Sequence, residues 1–242
     1  MITAGSPTPE IRLYTRVLLA GGLGLLVVTG LALAARSWLQ LGTLYPGKAA
    51  TFFGAIMAIA CAFVSHHPHS RLGPANHVTM VRAMLVALMA SLLGELEIFR
   101  VAAAATGAAI VLTVLDGVDG WLARRTRMTS EFGARFDMET DALLIMVMSA
   151  LVWQHEKAGA WVLLGGGLRY AFGAAGWLSP WMARPLLPTR RGQTITVCHI
   201  VGLSTALAPF VPTPASEIAA ATTLTALIWS FSVDVGRQWR KE

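Results

Sequence analysis

Five aspartates occur in the 242 residues, and four of them, Asp116, Asp119, Asp137 and Asp141, fall inside or beside long apolar segments. A carboxylate is expensive in such surroundings, so the grouping calls for a counter-charge. If each half is helical, Asp116 and Asp119 (i, i+3) share one face, and so do Asp137 and Asp141 (i, i+4). The 18-residue separation between Asp119 and Asp137 leaves room for a helix end, a turn and a new helix. Two carboxylate pairs can then face each other. Converging carboxylates repel unless a hard cation sits among them, and oxygen-only ligation points to Mg²⁺ or Mn²⁺. Two such ions close together are a known device of phosphoryl chemistry.

The residues between these aspartates suit that purpose. Gly120, Ala123 and Gly133 carry little or no side chain, which lets a flat base or a diphosphate approach the backbone. Arg124 supplies a planar, permanently charged fork for phosphate oxygens. Taken singly, each has an ordinary reading: small residues are common where membrane helices touch, and Arg124 can be a cytosolic anchor.

Together the stretch reads D-x2-D-G-x2-A-R-x8-G-x3-D-x3-D, with Asp116, Asp119, Gly120, Ala123, Arg124, Gly133, Asp137 and Asp141 at its eight fixed positions. This resembles the signature of the CDP-alcohol phosphotransferase family of integral membrane enzymes. The resemblance covers about residues 73–242. It implies a core of six transmembrane helices, usually paired as a homodimer, that displaces CMP from a CDP-linked alcohol with a second alcohol.

The elements that must position these residues are apolar helices. Hydrophobic residues make up 55% of the chain and charged residues 13%, with mean hydropathy +0.60. That balance excludes an ordinary soluble domain and describes a polytopic, all-α membrane protein. The net charge of +6 is no nucleic-acid signal, because the basic residues flank apolar spans and form no aromatic-lined stripe. Spans are expected at about 17–35, 49–64, 77–93, 101–120, 136–153, 159–178, 193–210 and 216–234. The first two form an N-terminal extension (1–70), and the other six a catalytic core (71–242). The first span follows basic residues and ends near a small-residue triplet, as a signal peptide does, but its apolar run is longer than a usual signal core.

With the motif on the cytosolic side, thirteen basic residues fall on that side and four on the other. The count predicts both termini in the cytosol. Compact loops and the lack of a recognisable transit peptide suit a prokaryotic plasma membrane. Trp153 and Trp161 on one side, with Trp177, Trp181 and Trp239 on the other, fit interfacial belts. Cys61 and Cys198 lie in predicted spans and read as small buried hydrophobes without a disulfide. His66, His67 and His69 surround Pro68, which spoils helical ligand geometry, and they read as a solvated linker.

Other polar residues are candidates for the acceptor side of a cavity. Asn76, Thr79 and Arg82 stand at the head of the first core helix, with Thr79 and Arg82 on one face. Their structural alternative is a helix cap at Asn76 and an arginine reaching to the interface. Arg169 lies deep in its span, where a motif aspartate or an anionic substrate group would partner it. Arg190 and Arg191 precede a helix and suit a phosphate or a simple topology signal.

By analogy with the family, Asp116, Asp119 and Asp137 hold two Mg²⁺ or Mn²⁺ ions. Asp141 shares a metal or stands beside the site as general base. The CDP moiety is expected against Asp116, Asp119, Gly120, Ala123, Arg124, Gly133 and Asp137. Arginines suited to phosphate favour CDP-diacylglycerol with an anionic acceptor such as a glycerol or inositol phosphate. The alternative donor is a CDP-linked small alcohol with diacylglycerol as acceptor. A reading from another class, a divalent-cation transporter, leaves Gly120, Ala123, Arg124 and Gly133 unexplained.

Overall fold

A computed structural model describes residues 9–62, 73–96, 98–126, 131–176 and 189–239. Among them lie eight α-helices and no strand: α1 Pro9–Leu39, α2 Tyr45–Ala62, α3 Pro74–Ala90, α4 Ile98–Thr126, α5 Glu131–Gln154, α6 Leu164–Ala175, α7 Arg190–Leu207 and α8 Thr213–Trp239. A short 3₁₀ turn, Ala160–Leu163, precedes α6. His66, His67, His69, Trp177 and Trp181 fall outside the described residues.

Each expected span corresponds to a helix, with different ends. The α1 helix starts at Pro9, eight residues before its apolar run, and α4 continues to Thr126, past the motif aspartates. Polar residues of ordinary helix propensity extend a helix into the interface without raising its hydropathy. Among the described residues, three helices are long and apolar enough to cross a membrane, over Val17–Leu39, Phe99–Leu122 and Thr213–Trp239. The α5 helix is long enough, but Asp137, Glu139 and Asp141 break its apolar composition.

Helix ends follow local chemistry. Pro74 opens α3, where its missing N–H costs nothing, and Thr189 caps α7 by accepting from the Gly192 N–H at 3.1 Å. Asn76, a possible cap, instead lies buried inside the first turn of α3. Gln40 (φ 57°) ends α1 in the left-handed conformation, and Leu41 N–H returns to Arg36 O at 3.0 Å. Glu156 (φ 54°) ends α5 the same way, with Lys157 N–H on Val152 O at 3.0 Å. Both closures satisfy carbonyls that the last helical turn leaves open.

The chain divides into two compact units, residues 1–92 with 114–141, and residues 93–113 with 142–242. In the first, α1, α2 and α3 pack on one another. Val28, Phe53, Ala83 and Val86 form part of its core, and Gly24 lets α1 approach the Phe53 ring. Tyr45 donates from its hydroxyl to Leu88 O at 3.1 Å, fastening α2 to α3.

In the second unit α7 and α8 form a hairpin, with α6 against α8. Leu144, Met148, Leu151, Leu203 and Leu207 are buried there, and Phe172 meets Phe231 edge to face at 5.4 Å. Lys157 Nζ donates to Val211 O at 2.6 Å, and Ser216 Oγ donates to Lys157 O at 2.5 Å. These bonds tie the turn after α5 to the turn before α8. Leu18, Leu23, Leu26, Ile110, Val114, Ile218 and Trp229 are exposed, an apolar exterior suited to lipid. Cys61 and Cys198 carry free thiols; Cys61 is half-buried and Cys198 exposed, so neither is the fully buried residue expected from the sequence.

Candidate active site

The sequence places Asp116 near the C-terminal end of α4, and Asp137 and Asp141 one turn apart at the start of α5. One carboxylate oxygen of each can be chosen so that the three lie within 4.8 Å of one another. The face shared by Asp137 and Asp141 therefore meets the motif end of α4. The backbone of α4 runs through Asp119, Ala123 and Arg124, whose side chains are outside the described residues. Gly120 and Gly133 are half-buried, one on each helix of the motif.

The counter-charge comes from α3. Arg82 Nη2 lies 2.9 Å from Asp116 Oδ1, and Arg82 also donates through Nη1 to Asp137 and through Nη2 to Asp141. All four residues belong to the first unit. Thr79 lies one turn before Arg82, is likewise buried, and donates to Ala75 O at 3.1 Å. Charge pairs of this kind explain why carboxylates persist beside apolar helices.

Three carboxylates within reach of a common point offer hard, anionic oxygen ligands, which is the donor set that Mg²⁺ and Mn²⁺ require. A model of the family described as CDP-alcohol phosphatidyltransferase matches residues 72–233. The chain belongs to the CDP-alcohol phosphatidyltransferase family. Comparison with curated proteins and with solved structures finds no match. As a family member the protein is a transferase of substituted phosphate groups. The match begins just before α3, so α1 and α2 lie outside the phosphatidyltransferase region.

The remaining sequence candidates, Arg169, Arg190 and Arg191, belong to the second unit. In the second unit Arg191 is committed to its own fold: Nη2 lies 2.6 Å from Asp234 Oδ1 and 3.3 Å from Ser230 O, and the guanidinium stacks 5.3 Å from the Trp229 ring. Arg190 is exposed beside it, and Arg169 is half-buried on α6. Beside the motif, Arg125 stacks over Trp121 at 4.8 Å, a contact that i, i+4 spacing allows.

Proposed function

We propose that this phosphatidyltransferase moves a substituted phosphate from CDP-diacylglycerol to the hydroxyl of a small, anionic alcohol such as a glycerol or inositol phosphate, releasing CMP. The convergence of Asp116, Asp137 and Asp141 within 4.8 Å is the observation that supports metal-assisted transfer; the choice of donor and acceptor rests on the basic residues suited to phosphate.

Asp116, Asp119 and Asp137 are the residues we assign to Mg²⁺ or Mn²⁺, with Asp141 shared or adjacent. Such ions would supply Lewis-acid stabilisation of the negative charge that builds on departing CMP. To the CDP site we assign Gly120, Ala123 and Gly133, residue types that suit a close approach, and Arg124, a type that suits phosphate oxygens. Asp141 takes the proton of the acceptor hydroxyl. The hydroxyl oxygen bonds to the phosphorus distal to cytidine. The bond from that phosphorus to the bridging oxygen breaks, and CMP leaves with the electron pair.

Arg169 and Arg190 are the basic residues we retain for an anionic acceptor; Arg191 already serves Asp234. Positive-inside asymmetry supports a cytosolic active site with both termini on that side. Pairing as a homodimer is carried over from the family resemblance.

The deciding experiment measures CMP release by the purified protein in detergent, with CDP-diacylglycerol, Mg²⁺ or Mn²⁺, and glycerol phosphate, inositol phosphate, inositol or serine. The expected result is release with an anionic acceptor, abolished by chelator. Release only from a CDP-linked small alcohol with diacylglycerol would reverse donor and acceptor. Metal flux into proteoliposomes without nucleotide, and no CMP release from any donor, would replace the transferase reading with transport.

A further inference from the structure

Arg82 differs in burial from the carboxylates it binds. Its side chain is 1% exposed, whereas those of Asp116, Asp137 and Asp141 are 33%, 38% and 26% exposed. The guanidinium forms the closed back of the cluster, and the carboxylates form its reachable front. The contacts run through Oδ1 of each carboxylate, from Nη1 to Asp137 and from Nη2 to Asp116 and Asp141. Asp137 and Asp141 are one turn apart on α5 and Asp116 comes from α4, so one rigid planar fork engages three carboxylates on two helices. Three carboxylates share one guanidinium, so a divalent cation at the open front would supply positive charge that Arg82 alone does not.

We propose that Arg82 is a positioning residue: it acts through Asp116, Asp137 and Asp141, holding them convergent so that a divalent cation binds on their exposed side. It is therefore removed from the group of acceptor contacts. The inference rests on the metal-dependent transferase reading above. Without the fork, three like charges at this spacing repel and draw apart. Hydrogen-bonding partners of ligating carboxylates set metal affinity by orienting the ligands.

The test is Mn²⁺ binding to the purified protein in detergent, without nucleotide or acceptor, followed by the electron paramagnetic resonance signal of free Mn²⁺. Wild type, Arg82→Lys and Arg82→Gln are compared, each checked for a native elution profile. The expected result is Mn²⁺ affinity about 10–100-fold weaker in Arg82→Gln, with Arg82→Lys recovering part of it through charge without the fork. The acceptor KM of Arg82→Lys at saturating Mn²⁺ is expected to stay at its wild-type value. Mn²⁺ binding as tight as wild type, or tighter, in Arg82→Gln would overturn the proposal and make the guanidinium a competitor of the cation. A raised acceptor KM with unchanged Mn²⁺ affinity would also overturn it and restore Arg82 to the acceptor pocket.

If Arg82→Gln fails to fold, Arg82→Lys alone decides: weaker Mn²⁺ binding upholds the inference and unchanged binding ends it. A wild-type protein that binds no Mn²⁺ and releases CMP in chelator would instead remove the metal-dependent reading, and this inference with it.

Discussion

Nη2 of Arg82 and Oδ1 of Asp116 lie 2.9 Å apart and join α3 to the motif end of α4. Asp116→Asn removes one charge from this pair but leaves Arg82 its contacts with Asp137 and Asp141. The variant is expected to elute and unfold as a folded protein while CMP release drops by roughly 10²-fold or more, as when a ligand or oriented charge is lost. Near-normal release from Asp116→Asn would place the chemistry elsewhere.

Asp141 is the proposed base, and its substitution separates turnover from binding. Asp141→Asn is expected to lower kcat by about 10²–10⁴-fold, the usual contribution of a positioned acid or base, with a smaller change in the donor KM. Steady-state CMP release over a donor titration reads both quantities. Unimpaired kcat would strip Asp141 of the base role.

Much of the site was legible because its signal is local. Asp137 and Asp141 declare a shared face by i, i+4 spacing alone, and α5 presents them together. Arg82 was legible as a candidate wall of the substrate cavity on the face of Thr79, and not as the partner of these carboxylates. Its meeting with carboxylates 55 and 59 residues away depends on how α3 lies against α4 and α5, which periodicity does not encode. Hydropathy marks where lipid would cover a helix, and α1 and α4 continue as polar helix beyond that limit. The expected span 159–178 is a 3₁₀ turn followed by α6, with the Trp161 ring folded against Gly159, where a Cβ would stand 2.9 Å from it. Arg191 looked like a phosphate ligand because the sequence gives no sign that Asp234 reaches it from α8.

In the second unit Gly166 sets the distance between α6 and α5. A Cβ on Gly166 would lie 2.5 Å from the Met146 Cα, a backbone atom that cannot rotate aside, whereas a Cβ on Gly167 meets nothing within 4 Å. Gly166→Ala is expected to destabilise by about 1–3 kcal/mol, the usual range for overpacking. Gly167→Ala is expected to be neutral or stabilising by up to about 1 kcal/mol, since alanine suits a helix better than glycine. Thermal unfolding in detergent compares the two; equal melting temperatures would show that α6 does not press on α5 at Gly166.

The Arg191–Asp234 pair fastens the start of α7 to α8, with Thr189 Oγ1 3.3 Å from Asp234 Oδ2. Asp234→Asn is expected to cost roughly 1–3 kcal/mol, the range for hydrogen bonds to charged groups. It should leave the acceptor KM unchanged. Arg191→Met should match it in stability and in KM. A selective rise in acceptor KM for Arg191→Met, absent from Asp234→Asn, would return Arg191 to the acceptor pocket.

His155 lies in the turn after α5, outside the spans, and is buried. Burial, followed by the nearby Lys157 charge, lowers its pKa from the usual 6.5. In the folded protein the imidazole stays neutral where the unfolded chain takes up a proton. Its contribution to stability is therefore fully present above pH 6.5 and is lost as the pH falls through the lower folded value. The melting temperature in detergent is expected to decline over that acidic window in the wild type and to decline less in His155→Gln. The same turn carries the Lys157 bonds to Val211 and Ala208, so both proteins should keep those bonds and differ only in the titrating ring. Identical slopes for the two proteins would show that His155 takes up its proton without penalty in the folded state.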